Sequence, residues 1–161
     1  MNLRKFVDTL LPLGARVIYA TPTQRRFFDE QGRITQTHGE YPEAMRTFCE
    51  REGLPFIDMT ARTQEMYETM GVEGSKRLLV HYPAGTWPGQ HKALEDNTHN
   101  NPFGAYEFSK LVLTGLLREY PELKEYLHPG WKDFSPSAPD NPDAFPWPAS
   151  PTVQWVKPDG N

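Results

Sequence analysis

The sequence predicts an α/β layered fold built on parallel strands. Apolar residues recur at helical spacing in several separate stretches, beginning with Leu3, Phe6, Val7, Leu10 and Leu11. Two short runs between them, residues 15–21 and 55–59, are rich in β-branched and aromatic residues and read as buried strands. The resulting order, helix, strand, helix, strand, helix, is that of a parallel sheet covered by helices.

Taken in order, the first helix ends near Pro12 to Gly14, and the first strand is stopped by Pro22. Residues 23–39 are polar, with a turn signal at Asp29-Glu30-Gln31-Gly32. A second helix is expected over residues 42–53, with Ala44, Met45, Phe48 and Cys49 inward and Gly53 as its stop. After the second strand, Thr60 is the expected cap of a helix running from Ala61 to about Met70, ended by Gly71. Residues 73–80 suit one more short helix. Residues 81–95 lack periodicity and contain Pro83, Gly85, Pro88 and Gly89, so they read as a loop.

The chain is organised around residues 95–120. A polar run, Asp96-Asn97-Thr98-His99-Asn100-Asn101, leads into a helix that begins at Pro102 or Phe103. Proline suits a first helical turn, where its missing N–H would be unpaired anyway. Asn101 is placed to cap it. Ala105, Phe108, Leu111, Val112, Leu116 and Leu117 share one face, so this helix is expected to be buried and to end near Tyr120. Pro121 interrupts it, and residues 122–127 suit a short extra helix. From Pro129 the composition shifts to prolines with Trp131, Phe134, Phe145, Trp147 and Trp155. The expected division is residues 1–128 as the domain and residues 129–161 as a Pro/Trp-rich tail that lies on it through its rings.

The chain has 161 residues, a length that suits one domain with a real core. A net charge of −4 argues against a general nucleic-acid binder. No run is long enough for a membrane span, so no membrane partner is expected. The single cysteine, Cys49, excludes an internal disulfide and a thiolate metal cluster, and reads as a small buried residue. Arg4 and Lys5 precede an apolar stretch, but Asp8 interrupts it and no small-x-small site follows, so a signal peptide is not expected within residues 1–14.

Asp96 and His99 are the residues on which chemistry would rest. A carboxylate can orient an imidazole and stabilise its protonated form while the ring accepts and returns a proton. The bland reading is a helix-entry loop whose carboxylate caps backbone N–H groups and whose histidine is solvated. Arg25 and Arg26 suit a ligand carboxylate by their fork geometry, or are a solvated charge pair. His38, Tyr41, His81 and Trp87 could line a sugar site, and Trp87 is equally suited to packing. Phe27 and Phe28 read as packing. The spacings of His38, His81, His91, His99 and Asp96 match no zinc signature, so no metal is expected.

Asp96-Asn97-Thr98-His99, followed by Asn101-Pro102-Phe103-Gly104-Ala105-Tyr106-Glu107, resembles the last conserved block of the SGNH (GDSL-type) hydrolases. The nearer match is their rhamnogalacturonan acetylesterase branch. The resemblance extends upstream through Thr21-Pro22-Thr23-Gln24-Arg25-Arg26 and His38-Gly39-Glu40-Tyr41-Pro42, and covers residues 3–127. It implies part of a three-layer α/β/α fold, namely the last two strands and final helices of a five-stranded sheet. It implies an acetylesterase acting on acetylated pectin-type polysaccharide without a cofactor. His99 would be general base and then general acid, Asp96 its orienting carboxylate, and Arg25, Arg26, His38, Tyr41 and Trp87 the substrate-binding candidates. Family members are often exported.

The family's nucleophile lies in a Gly-Asp-Ser motif, and no Gly-Asp-Ser occurs here. The oxyanion-hole glycine and Gly-x-Asn-Asp segments are also absent, and Ser75, Ser109, Ser135, Ser137 and Ser150 match no nucleophile position. The chain is therefore expected to be inactive alone, as the C-terminal part of such an enzyme. The alternative is a non-catalytic carbohydrate-binding or assembly module. The first strand would have a naked edge, open to a second copy or to a complementary N-terminal segment.

Overall fold

The computed structural model describes residues 2–147. Trp155 lies outside the described residues. Among the described residues are four α-helices and two small sheets: α1 (Asn2–Leu10), β1 (Tyr19–Ala20), α2 (Tyr41–Glu52), β2 (Phe56–Ile57), α3 (Met59–Gly74), β3 (Leu79–Tyr82), β4 (Leu94–Asn100) and α4 (Pro102–Glu119). β1 and β2 pair in parallel, Tyr19 with Phe56 and Ala20 with Ile57. β3 and β4 form a separate antiparallel hairpin. The fold class is α/β, as expected, with both strand runs shortened to the two residues that pair.

Two apolar clusters hold these layers. Ile57, Met66, Tyr67, Leu78, Leu79, Phe103, Phe108 and Leu111 form the larger one, between α3, α4 and the strands. Val7, Tyr19, Phe48 and Cys49 form the smaller one, under α1 and α2. Burial pushes the Cys49 thiol up, which suits an inert packing residue. Among the described tail residues, Phe134 enters the larger cluster and Phe145 packs against it, edge-on to Phe103.

Several local expectations are corrected. The cap of α3 is Asp58, whose carboxylate accepts the Ala61 N–H at 3.1 Å, because Thr60 is turned inward to bond Thr21 and Pro22. Gly71, at φ 71°, breaks α3 where a stop was expected, and one further turn is appended. Residues 73–80 continue into a 3-10 turn at Ser75–Leu78 and then β3, not a short helix. Residues 81–95 hold part of a hairpin, because Tyr82 pairs with Leu94 and His81 with Glu95. Ala105 and Val112 on α4 face solvent instead of the core.

Inside α4, Glu107 is fully buried and Lys110 nearly so, with Lys110 Nζ 2.7 Å from Glu107 Oε1 and 2.8 Å from Asp140 Oδ2. The ammonium also lies 4.1 Å from the Phe134 ring centre and 4.4 Å from that of Tyr106. The pair thus ties the tail to α4. Lys110→Met would leave the Glu107 charge buried without its cation, at an expected cost of about 3–5 kcal/mol. Urea unfolding checks this, and the double variant Glu107→Gln/Lys110→Met should recover most of the loss. A Lys110→Met midpoint equal to the parent's would reject it.

Candidate active site

The threonines at the sheet's carboxyl rim build the platform of the site. Thr21 follows β1, and its hydroxyl donates to Asp58 Oδ1 at 3.0 Å and accepts the Thr60 N–H at 2.9 Å. Thr63 Oγ1 accepts the Gln24 N–H at 2.9 Å. These bonds stitch residues 21–24 onto the start of α3 and carry the chain toward the hairpin. There the Arg26 N–H donates to the Asn97 carbonyl at 2.9 Å. The segment leaving β1 therefore meets the polar run in the middle of the Asp96–His99 sequence. Ligands bind beyond this rim in open parallel sheets.

The polar run is not a free loop. It belongs to β4, but its pairing is irregular. Leu79 opposes Asn100 and His81 opposes Glu95, so two steps along β3 face five along β4. Asp96 to His99 lie opposite Val80 alone, a surplus of three residues, and this stretch bulges out of the hairpin. The bulge closes on its own aspartate. Asp96 Oδ1 accepts the Thr98 N–H at 2.7 Å and the His99 N–H at 2.9 Å. Asp96 Oδ2 is left for His99 Nδ1, at 2.7 Å. Bulges of this kind re-aim side chains beside active sites. One carboxylate thus both caps backbone N–H groups and orients the imidazole, so the two readings of this residue describe one arrangement.

The His99 backbone N–H, then its ring, then the Thr98 N–H hold the Asp96 carboxyl down to about 2 from an ordinary 3.8. Since the folded value is depressed, the stabilisation is complete above about 3.8 and is lost as pH falls through about 2. We expect the Asp96 carboxyl carbon to titrate near pH 2 by NMR, and His99→Ala to raise that midpoint. A midpoint near 3.8 in the parent would mean that the bulge does not hold its carboxylate. Nε2 of His99 has no hydrogen-bond partner among the described residues, and the side chain is 77% exposed.

Within the bulge, Asn97 is a junction that sequence reasoning missed. Its Oδ1 accepts from Arg26 Nη1 at 2.9 Å and faces His81 Nε2 at 2.9 Å. Arg26 also donates through Nε to Ser75 Oγ at 2.9 Å and through Nη2 to the Val72 carbonyl. Arg26 is buried, and desolvation pushes its pKa down. The guanidinium expected to hold a ligand carboxylate is here engaged by three protein acceptors and braces the hairpin. An arginine beside a polar run carried no sign in the sequence of which acceptors it would meet.

The other candidates are scattered. Arg25 is exposed next to it. The ring of His38 reaches the Thr23 carbonyl at 2.8 Å, on the same rim. Tyr41 opens α2 and is exposed. Trp87 lies in the hairpin connection, edge-on to Tyr82 at 4.7 Å, with no described contact to Asp96 or His99. Among the described residues, no group of three or more His, Cys, Asp or Glu side chains converges as a metal site.

Comparison with known proteins bears on this geometry. The rhamnogalacturonan acetylesterase RhgT of Bacillus subtilis (strain 168) is 42% identical to this chain over 125 residues, 78% of the chain. The chain is related to the SGNH-type rhamnogalacturonan acetylesterases. It spans about half of that relative's length, 54%. No family model and no solved structure matches it.

Proposed function

We propose that this chain supplies the Asp–His half of a carbohydrate esterase acting on acetylated rhamnogalacturonan, with the serine nucleophile provided by a complementary segment. The observation that carries this reading is the 2.7 Å bond between Asp96 Oδ2 and His99 Nδ1, within a bulge that leaves Nε2 open. The serine oxygen attacks the acetyl carbonyl while His99 Nε2 takes its proton. His99 then gives that proton to the sugar oxygen as the ester C–O bond breaks, so the sugar leaves as its alcohol; Nε2 next takes a proton from the water that attacks the acyl-serine carbonyl and passes it to the serine oxygen as acetate leaves. Asp96 stays ionised throughout and stabilises the imidazolium. Backbone and side-chain donors for the oxyanion come with the nucleophile.

The apolar surface supports a complementary segment. Phe6 is 57% exposed, and Leu10 and Val112 are also turned to water, although each sits on the apolar stripe of its helix. Covering such a side chain contributes about 1.5–3 kcal/mol. Among the described residues, β1 pairs only with β2 and keeps its other edge open. For the chain by itself, the 77% exposure of His99 favours the competing reading, a non-catalytic binding or assembly module.

One experiment separates the two. The part of the Bacillus relative outside the match is fused ahead of Met1, and hydrolysis of p-nitrophenyl acetate and of acetylated rhamnogalacturonan is followed. The fusion should hydrolyse both, while the chain alone should be no faster than its own His99→Ala variant. A folded but inert fusion would sink the esterase reading. Acyl-enzyme trapped on a serine of this chain alone would show that no complementary nucleophile is needed.

A further inference from the structure

An open groove of about 550 Å³ runs along β4 beside the Asp96–His99 bulge, within the size range of small-molecule sites. Its walls include Phe27, Val80, Leu94, Glu95, Asp96 and Thr98. Two of them are large apolar side chains turned to water: Phe27 is 45% exposed and Leu94 is 39% exposed. Phe27 and Phe28 have parted company. Phe28 packs against the core, while Phe27 faces out. That direction is set by the backbone. The Arg26 N–H is held by Asn97 O, and Phe27 O accepts the Thr35 N–H at 2.7 Å. The clamp that buries Arg26 therefore presents its neighbour's ring to the groove that Asp96 also lines.

We propose that this groove is a subsite for a neutral deoxy-sugar unit of the polysaccharide, lying with its C–H face on the Phe27 ring. The proposal rests on the esterase reading above, since it places one sugar next to the reacting pair. Asp96 is common to the pair and to the groove, so a chain whose ester lies at His99 continues onto Phe27. Charge chooses between the two kinds of sugar. Glu95 and Asp96 both line the groove, and their negative charge disfavours a uronate there more than a neutral sugar. Val80 and Leu94 offer apolar contact to a methyl group, which a deoxy sugar has and a uronate lacks. The Thr98 hydroxyl adds one group that can donate or accept.

The test is binding, not turnover. The isotope-labelled chain is titrated by NMR with a deacetylated rhamnogalacturonan oligosaccharide, with methyl rhamnoside and with galacturonate. The oligosaccharide and the rhamnoside should shift the amides of Phe27, Leu94, Glu95 and Thr98, and galacturonate should leave them unmoved. Phe27→Ala should weaken oligosaccharide binding roughly 3- to 10-fold, and Phe27→Tyr should retain it. A thermal melt of Phe27→Ala matching the parent's would show that the fold is intact, as expected for an exposed ring. Galacturonate occupying these residues, shifts confined to other parts of the surface, or binding indifferent to Phe27→Ala would each overturn the proposal. The ligand carries no ester, so such a result leaves the esterase reading standing. An inert fusion with Phe27-dependent binding would sink that reading and keep the groove.

Discussion

His99→Ala in the fused enzyme is expected to lower kcat by about 10⁴-fold or more, with KM little changed. The ring is the only group of the bulge that can both take and return a proton, and its Nε2 faces outward because Asp96 holds Nδ1 at 2.7 Å. Asp96→Asn should be nearly as damaging for a different reason. The amide presents an N–H where the carboxylate accepted one, so the ring turns or takes the other tautomer and Nε2 ceases to be a base. The two outcomes separate in structure. Asp96→Asn also loses the charged acceptor of the Thr98 and His99 N–H groups, so their amide resonances should move. Those amides should stay nearly in place in the ring-deletion variant. A fusion that keeps within tenfold of full activity after either change would place the chemistry elsewhere.

Gly104→Ala should destabilise the chain by about 3 kcal/mol, a large share of the 5–15 kcal/mol that holds a domain together. A methyl group built there would stand 1.8 Å from the Leu78 carbonyl oxygen and 2.7 Å from its carbon. Both atoms are backbone of the fully buried Leu78, the residue leading into β3, so no side chain can swing aside. The first turn of α4 would have to lift away. That movement would break the Asn101 cap, in which Oδ1 accepts the Gly104 N–H at 2.9 Å while Nδ2 donates to the Arg77 and Leu79 carbonyls. The cap alone contributes about 1 kcal/mol. The helix and the hairpin share these bonds, so the Asp96–His99 resonances should broaden in the variant before it unfolds. Urea unfolding gives the magnitude, and a loss under 1 kcal/mol would mean that α4 does not need this approach. Gly115 has a milder version of the same role, since a methyl there would meet the Ile57 side chain at 2.6 Å.

Where the chain's own bonding is local, the sequence was sufficient. The start of α4 is an Asn-Pro pair whose cap and missing donor act within four residues, and the helix begins at Pro102 as expected. Gly53 ends α2 with its backbone in the left-handed region, at φ 64°, which an L side chain resists. Asp96 and His99 are three residues apart, so their contact needs only a turn, and it forms at 2.7 Å. The α/β order and the two strand positions followed from periodicity.

Tertiary structure decided the rest, because the deciding partners are far apart in the chain. Leu94–Asn100 has no strand-like composition, yet it pairs with Leu79–Tyr82, whose carbonyls and N–H groups require partners once Leu78 and Leu79 are buried. Arg26 reads as a binding residue until Ser75, Asn97 and Val72, all more than forty positions away, take its donors. Phe27 reads as packing until that same burial turns it outward. An adjacent-residue pattern records which side chains are apolar or charged. Which of them meets a neighbour, and which is left facing a groove, depends on backbone hydrogen bonds that form only when distant segments are brought together.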